Sequence, residues 1–187
     1  DMTVTVTNYY YDHSLNLTKV VNGDELAEYI DYPFAITFTT SNGHQLTRDE
    51  LNVSVSKDNI PAVDKEWTFN DNVLTILLKN GETLSISKLP QYVTNYEIVE
   101  NEVTFENEPY KVSLEKIEGL DAAKINVTAK KASNTFENDK DQTDSITYTN
   151  KYSYQYGSIT INKKIEGDKK NSVFTFKITN NRTNEVF

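Results

Sequence analysis

The sequence predicts an all-β sandwich, and three observations carry that expectation. Short segments of alternating apolar and polar residues recur along the 187 residues, with turn residues between them. Helical periodicity is confined to one short stretch. One strand pattern also returns late in the chain, which points to domains in tandem.

The elements follow in order. Met2 to Asn8 alternates strictly, with Met2, Val4, Val6 and Asn8 on one face and threonines on the other. Ser14–Val21 is the next strand. Leu15, Leu17, Lys19 and Val21 share one of its faces, so Lys19 points into the core with the leucines. Asp24 to Ile30 is the helical stretch, stopped before Pro33. Phe34–Phe38 resumes strand. Shorter strands are expected at Leu51–Val55, Glu66–Phe69, Val73–Leu78, Thr83–Ile86, Tyr96–Glu100, Tyr110–Leu114, Ile125–Ala129 and Ile146–Asn150. Asn80-Gly81 and the polar run Ser133–Asp144 read as turns, and Lys151–Tyr156 reads as an aromatic linker.

The lysine strand has a second copy. Ser158–Ile165 matches Ser14–Val21 position for position, with Lys163 in the place of Lys19, an offset of 144 residues. Each copy ends in a glycine, Gly23 and Gly167. Val4–Tyr10 likewise matches Ile146–Tyr152, which sets Asn8 against Asn150. A repeat of this length means tandem domains, because solenoid units run to ~20–50 residues. The expected organisation is residues 1–11 as the last strand of a preceding domain, 12–152 as one complete domain, and 157–187 as the opening of a following one.

Composition narrows the function. Hydrophobic residues make up 37% of the chain, with 12 Tyr, 8 Phe and one Trp, enough for a packed core. A net charge of −9 argues against nucleic acid and anionic membrane surfaces as partners. No stretch approaches the ~20 apolar residues of a membrane span. With no cysteine, disulfides, thiol catalysis and cysteine-ligated zinc are excluded. Neither a signal peptide nor a sorting tail is recognisable, so the chain reads as an internal segment of a longer one. No motif implies a cofactor or a metal.

Three strands each carry one misplaced polar residue on an apolar row. Lys19 sits with the leucines, Glu100 shares a face with Tyr96 and Ile98, and Asn150 shares a face with Ile146 and Tyr148. A lone buried ammonium is expensive and tends to lose its proton. Kept neutral, its nitrogen can attack a carboxamide carbon. A carboxyl group held protonated by the same burial polarises the carbonyl and shuttles a proton to the departing nitrogen. Ammonia leaves and an amide joins the two side chains. Glu97 has the wrong parity for this role, and Glu102 has the right parity but lies beyond the motif described next.

These features resemble the collagen-adhesin B-type (CnaB) domains of Gram-positive surface proteins, in particular those of T-antigen-like backbone pilins. "SLNLTKVVNG" and "GSITINKKIEG" look like the family's lysine strand. "LKNGETLSISKLPQYVTNYEIVE" is similar to its Gly–LP–Tyr-x-Val-x-Glu stretch, with Ile98 for the valine. "SITYTNKY" and "DMTVTVTNYY" resemble its terminal asparagine strand. The resemblance implies an immunoglobulin-like β-sandwich of the CnaB type, in tandem array. It further implies an autocatalytic Lys19–Asn150 isopeptide bond promoted by Glu100. Carried over the same way, Lys163 would bond an asparagine beyond Phe187, and Asn8 a lysine before Asp1. A clear pilin-lysine motif is missing.

The implied function is a structural stalk or pilus module, extracellular on a Gram-positive cell wall or pilus. Its partners would be neighbouring domains of the same chain or fibre, and the chemistry would be a single self-crosslinking turnover, not enzymatic catalysis. The alternative is a ligand-binding adhesin domain for host matrix or glycan, built on the extra length between Phe38 and Trp67 and on exposed tyrosines. His13 and His44 sit in no metal-spacing or triad pattern and are expected at the surface. Glu137–Asp141 lacks the calcium-loop spacing and glycine, and reads as a solvated loop.

Overall fold

The structure, a computed structural model, describes residues 2–7, 9–23, 28–62, 65–103, 110–154, 159–167, 173–179 and 186. The chain divides into two compact units, Asp1–Gln155 and Tyr156–Phe187. The first unit is an all-β sandwich. Its strands are β1 (His13–Asn22), β2 (Tyr32–Thr40), β3 (Asn52–Lys57), β4 (Ile60–Pro61), β5 (Trp67–Asn70) and β6 (Val73–Leu78). They continue with β7 (Glu82–Leu89), β8 (Val93–Glu100), β9 (Tyr110–Glu118), β10 (Ile125–Asn126), β11 (Lys131–Thr135) and β12 (Gln142–Tyr154).

One six-stranded sheet runs β4-β3-β7-β1-β12-β9 and the other β10-β11-β8-β2-β6-β5. The alternation that defines the strands also builds the core. In β2, Tyr32, Phe34, Ile36 and Phe38 are buried; in β1, Leu15, Leu17, Lys19 and Val21; in β8, Val93, Tyr96, Ile98 and Glu100. The two apolar faces pack against each other to form one core. The first and last strands lie side by side in the middle of one sheet. They are parallel and in register from His13↔Gln142 to Asn22↔Lys151. Such pairing needs a long connection, here supplied by the whole intervening fold.

Gly23 ends β1 with φ +138°, and a Cβ there would stand 2.1 Å from the Tyr152 carbonyl oxygen. Only glycine accepts both the left-handed backbone and that close approach.

Several sequence expectations need correction. Lys151–Tyr154 is not linker: it continues β12 against β9, and Tyr152 is buried, because the inward parity of Tyr148 and Asn150 runs on. The run Ser133–Asp144 is not all turn. Its first residues belong to β11 and its last to β12, since the ladder to β8 and the buried Ala132 override a polar composition. Ile125–Ala129 shortens to Ile125–Asn126 before a turn. Residues 24–27 of the expected helix lie outside the described residues; Glu28 and Tyr29 have 3-10 conformation. Residues 2–7 form no strand, and their apolar row, Met2, Val4 and Val6, is 93, 75 and 78% exposed. An alternating segment becomes a strand only where a neighbour takes its backbone groups.

In the second unit, residues 159–165 and 173–178 likewise form no strand, and Thr179 bridges Val186. Lys163 is exposed there, its Nζ 4.0 Å from the centre of the Phe174 ring. Asn8 lies outside the described residues. No helix among the described residues is long and apolar enough to cross a membrane.

Candidate functional site

Lys19, Glu100 and Asn150 converge in the space between the two sheets. Alternation along β1 turns the Lys19 side chain inward, and it is 0% exposed. Glu100 closes β8 on the opposite sheet, opposite Phe34 of β2, with its backbone N–H donating to the Lys130 carbonyl. Asn150 follows a bulge at Thr149/Asn150 in β12 and pairs with Val21 across the parallel ladder.

A single carboxylate holds both partners. Lys19 Nζ donates to Glu100 Oε2 at 2.9 Å, and Asn150 Nδ2 donates to Glu100 Oε1 at 2.5 Å. Lys19 Nζ also donates to the Tyr148 carbonyl oxygen at 3.4 Å. Glu100 and Asn150 are as buried as the lysine. Glu97 and Glu102 turn outward instead, to Lys131 and Lys130.

Aromatic rings wall the site. Lys19 Nζ stands 4.4 Å from the centre of the Tyr32 ring, and Phe34 meets Tyr148 edge to face at 5.3 Å. The Tyr148 hydroxyl donates to the Ile98 carbonyl at 2.9 Å, bracing β12 against β8 across the core. Burial pushes the Lys19 ammonium down to about 8, and the attraction of Glu100 opposes that fall without cancelling it. Burial and the Glu100 charge hold the phenols of Tyr32 and Tyr148 above their ordinary range. Two buried polar atoms here have no partner, Asn150 Oδ1 and the Tyr32 hydroxyl.

This set fits acyl transfer between side chains. Its amine is readily deprotonated, its carboxamide is within reach of the same carboxyl group, and that group contacts the nitrogen that must arrive and the one that must leave. Exclusion of water protects the amine from reprotonation. The geometry does not suit a metal, since an ammonium occupies the carboxylate. Among the described residues no group of three or more His, Cys, Asp or Glu could hold an ion. In the Glu137–Asp141 loop, Glu137 pairs with Lys140 and Asp141 accepts from the Asp12 backbone.

His13 departs from the expectation of a surface residue, because it is buried. Its ring stacks on Phe136 at 4.7 Å and its Nε2 meets the Glu137 carbonyl at 2.9 Å. The signal was present in its parity with Leu15 and Leu17. His44 is exposed and stacks on Tyr92.

The family model described as a domain of unknown function, DUF7601, matches residues 13–152. No curated protein matches. Among solved structures, a point mutant of the major pilin from Streptococcus pyogenes is 24% identical over 75% of this chain and 48% of its own, with a TM-score of 0.51. The unmutated pilin is 23% identical over the same shares, with a TM-score of 0.50. A pilus-presented adhesin of that organism is 24% identical over 76% of this chain and 28% of its own, with a TM-score of 0.45. The chain thus spans about half of each pilin structure and little more than a quarter of the adhesin. The pilin likeness is one of fold, a two-sheet β-sandwich.

Proposed function

We propose a function for this chain, which belongs to the DUF7601 family over residues 13–152: it is a load-bearing module of a bacterial surface protein or pilus, stapled by a self-made Lys19–Asn150 amide. The observation that carries this is the one buried carboxylate bonded to both an amine and a carboxamide. The fold shared with pilins supports the setting, with neighbouring modules or subunits of a fibre as partners and the outer face of a Gram-positive cell as the location.

The chemistry follows from the contacts. The Lys19 ammonium passes one proton to Glu100, so the ion pair becomes a neutral amine and a neutral acid with no net change of charge. Asn150 Nδ2 stays on the other carboxyl oxygen, so the group that is to leave remains in contact with the acid. Nζ then attacks Cγ and the C–Nζ bond forms. Glu100 relays the surplus Nζ proton to Nδ2, the C–Nδ2 bond breaks and ammonia departs. The fold supplies proximity, which is the largest part of the acceleration. Each chain reacts once, so the module is not an enzyme.

The placement of the amide explains its use. Force on the chain ends would enter at the start of β1 and leave at the end of β12, loading their parallel ladder in shear. A Lys19–Asn150 amide carries that load directly from β1 to β12 and leaves residues 20–149 unstrained. The CnaB subtype and the domain plan of 1–11, 12–152 and 157–187 belong to the same proposal, and the change of unit after Gln155 supports the second boundary. Asn8 and Lys163 would then serve equivalent bonds in the adjoining domains.

Intact mass of the parent, Lys19→Ala and Glu100→Ala chains tests the reading. The parent should weigh one ammonia less than its sequence, and both variants should weigh the full amount. A parent of full mass would refute it.

A further inference from the structure

The ladder between β1 and β7 stops at Thr18↔Thr83, one residue short of the lysine. Beyond that point the crossover turn Lys79–Gly81, which links the two sheets, takes over the backbone at the Lys19 carbonyl and just after it. Gly81 N–H donates to the Lys19 carbonyl at 2.8 Å, and Val21 N–H donates to the Asn80 side-chain Oδ1, also at 2.8 Å. The asparagine side chain therefore stands in for a missing strand residue.

The turn is itself clamped. Glu82 N–H donates to the Lys79 carbonyl at 3.0 Å, while Glu82 Oε2 accepts from Lys79 N–H at 2.7 Å and from Lys65 Nζ at 2.6 Å. Glu82 is buried and Gly81 has φ +80°, a conformation that suits glycine. A rigid turn thus grips the strand residue whose side chain must reach a carboxyl on the other sheet.

We infer that Asn80 is a positioning residue for the crosslink: its side-chain oxygen fixes the β1 backbone at Val21 and so sets the reach and direction of Lys19 toward Glu100 and Asn150. This rests on the crosslinking reading above. Asn80 touches none of the reacting atoms. Its effect is on the geometry of approach, to which a reaction driven by proximity is sensitive.

The test follows ammonia loss by intact mass in the full chain, made by cell-free synthesis and quenched in denaturant at intervals. Asn80→Ala removes the acceptor and should slow crosslinking by on the order of tenfold or more, whereas Asn80→Asp keeps an acceptor and should stay within about twofold of the parent. Thr18→Val is the control, because it deletes the Thr18–Thr83 hydroxyl contact of 2.9 Å on the same strand pair without touching the grip on Lys19. It should crosslink near the parent rate. Should Asn80→Ala fail to fold, Asn80→Gly removes the same acceptor at a turn position that glycine occupies readily. Crosslinking of Asn80→Ala or Asn80→Gly at the parent rate would overturn the inference, as would a Thr18→Val chain slowed as much as they are. In both cases the parent still loses ammonia; a parent that loses none sinks the crosslink itself, and this role with it.

Discussion

Replacing Glu100 by alanine separates the two contributions the site makes to stability. The first is the staple. A loop of about 130 residues closed by a covalent bond restricts the unfolded chain by ~5 kcal/mol in the chain-entropy model. The second is charge. With the proposed crosslink in place the lysine nitrogen of the parent is an amide and carries none, whereas in Glu100→Ala it is a free amine, fully buried, with its carboxylate gone. It must then fold neutral. At pH 7, removing the proton from a lysine with an ordinary value of 10.5 costs at most ~5 kcal/mol. The variant should therefore be ~5–10 kcal/mol less stable than the parent, and the first half of that alone lowers the melting midpoint by roughly 15–20 °C for a domain of this size. Differential scanning calorimetry from pH 7 to pH 10 distinguishes the parts. The unfolded lysine binds the extra proton, so the variant gains stability as pH rises toward 10.5, and the gap to the parent narrows to the staple's share. A variant that melts within a few degrees of the parent at pH 7 would show that neither contribution operates.

Other outcomes follow from neighbouring contacts. Gly23→Ala should destabilise the domain by at least ~3 kcal/mol by denaturant unfolding, because the new Cβ meets the Tyr152 carbonyl at 2.1 Å on a left-handed backbone; an effect below ~1 kcal/mol would contradict the close approach. Tyr32→Phe removes a buried hydroxyl that has no partner and should leave the melting point unchanged or raise it by a gain of about 1 kcal/mol. A marked loss would show that the hydroxyl is bonded in solution. Asn150→Ala would block the proposed crosslink but keeps the Lys19–Glu100 pair. Because the folded lysine sits at about 8 and the unfolded one at 10.5, its stability should rise from about pH 8 upward. Above about pH 10 the buried phenols of Tyr32, Tyr96 and Tyr148, raised by burial, act in the opposite sense. A flat profile from pH 8 to 10 would contradict the depressed lysine.

Much of the fold was legible because a half-buried strand writes its burial into the sequence with period two. Lys19, Glu100 and Asn150 each stood out as a polar residue on an apolar row, and all three are buried. Parity also separated Glu100 from Glu97. What stayed hidden depends on partners distant in sequence. Nothing local announces that β1 and β12 lie parallel and adjacent, or that β8 turns the polar segment Lys131–Thr135 into a strand. His13 is harder to place, because its chemistry suggests water while its parity with Leu15 puts it inside. Asn80 read only as a turn residue, since its bond to Val21 spans 59 positions. The alternation of residues 2–7 marks strand-forming capacity, and capacity becomes structure only where a neighbouring strand is present.

The most direct test is to digest the folded protein and sequence the fragments by tandem mass spectrometry. The expected product is a branched species in which the peptide bearing Lys19 is joined to the peptide bearing Asn150, lighter than their sum by one ammonia and absent from Glu100→Ala. Two separate linear peptides of full mass, with Lys19 open to the protease and Asn150 intact, would contradict it.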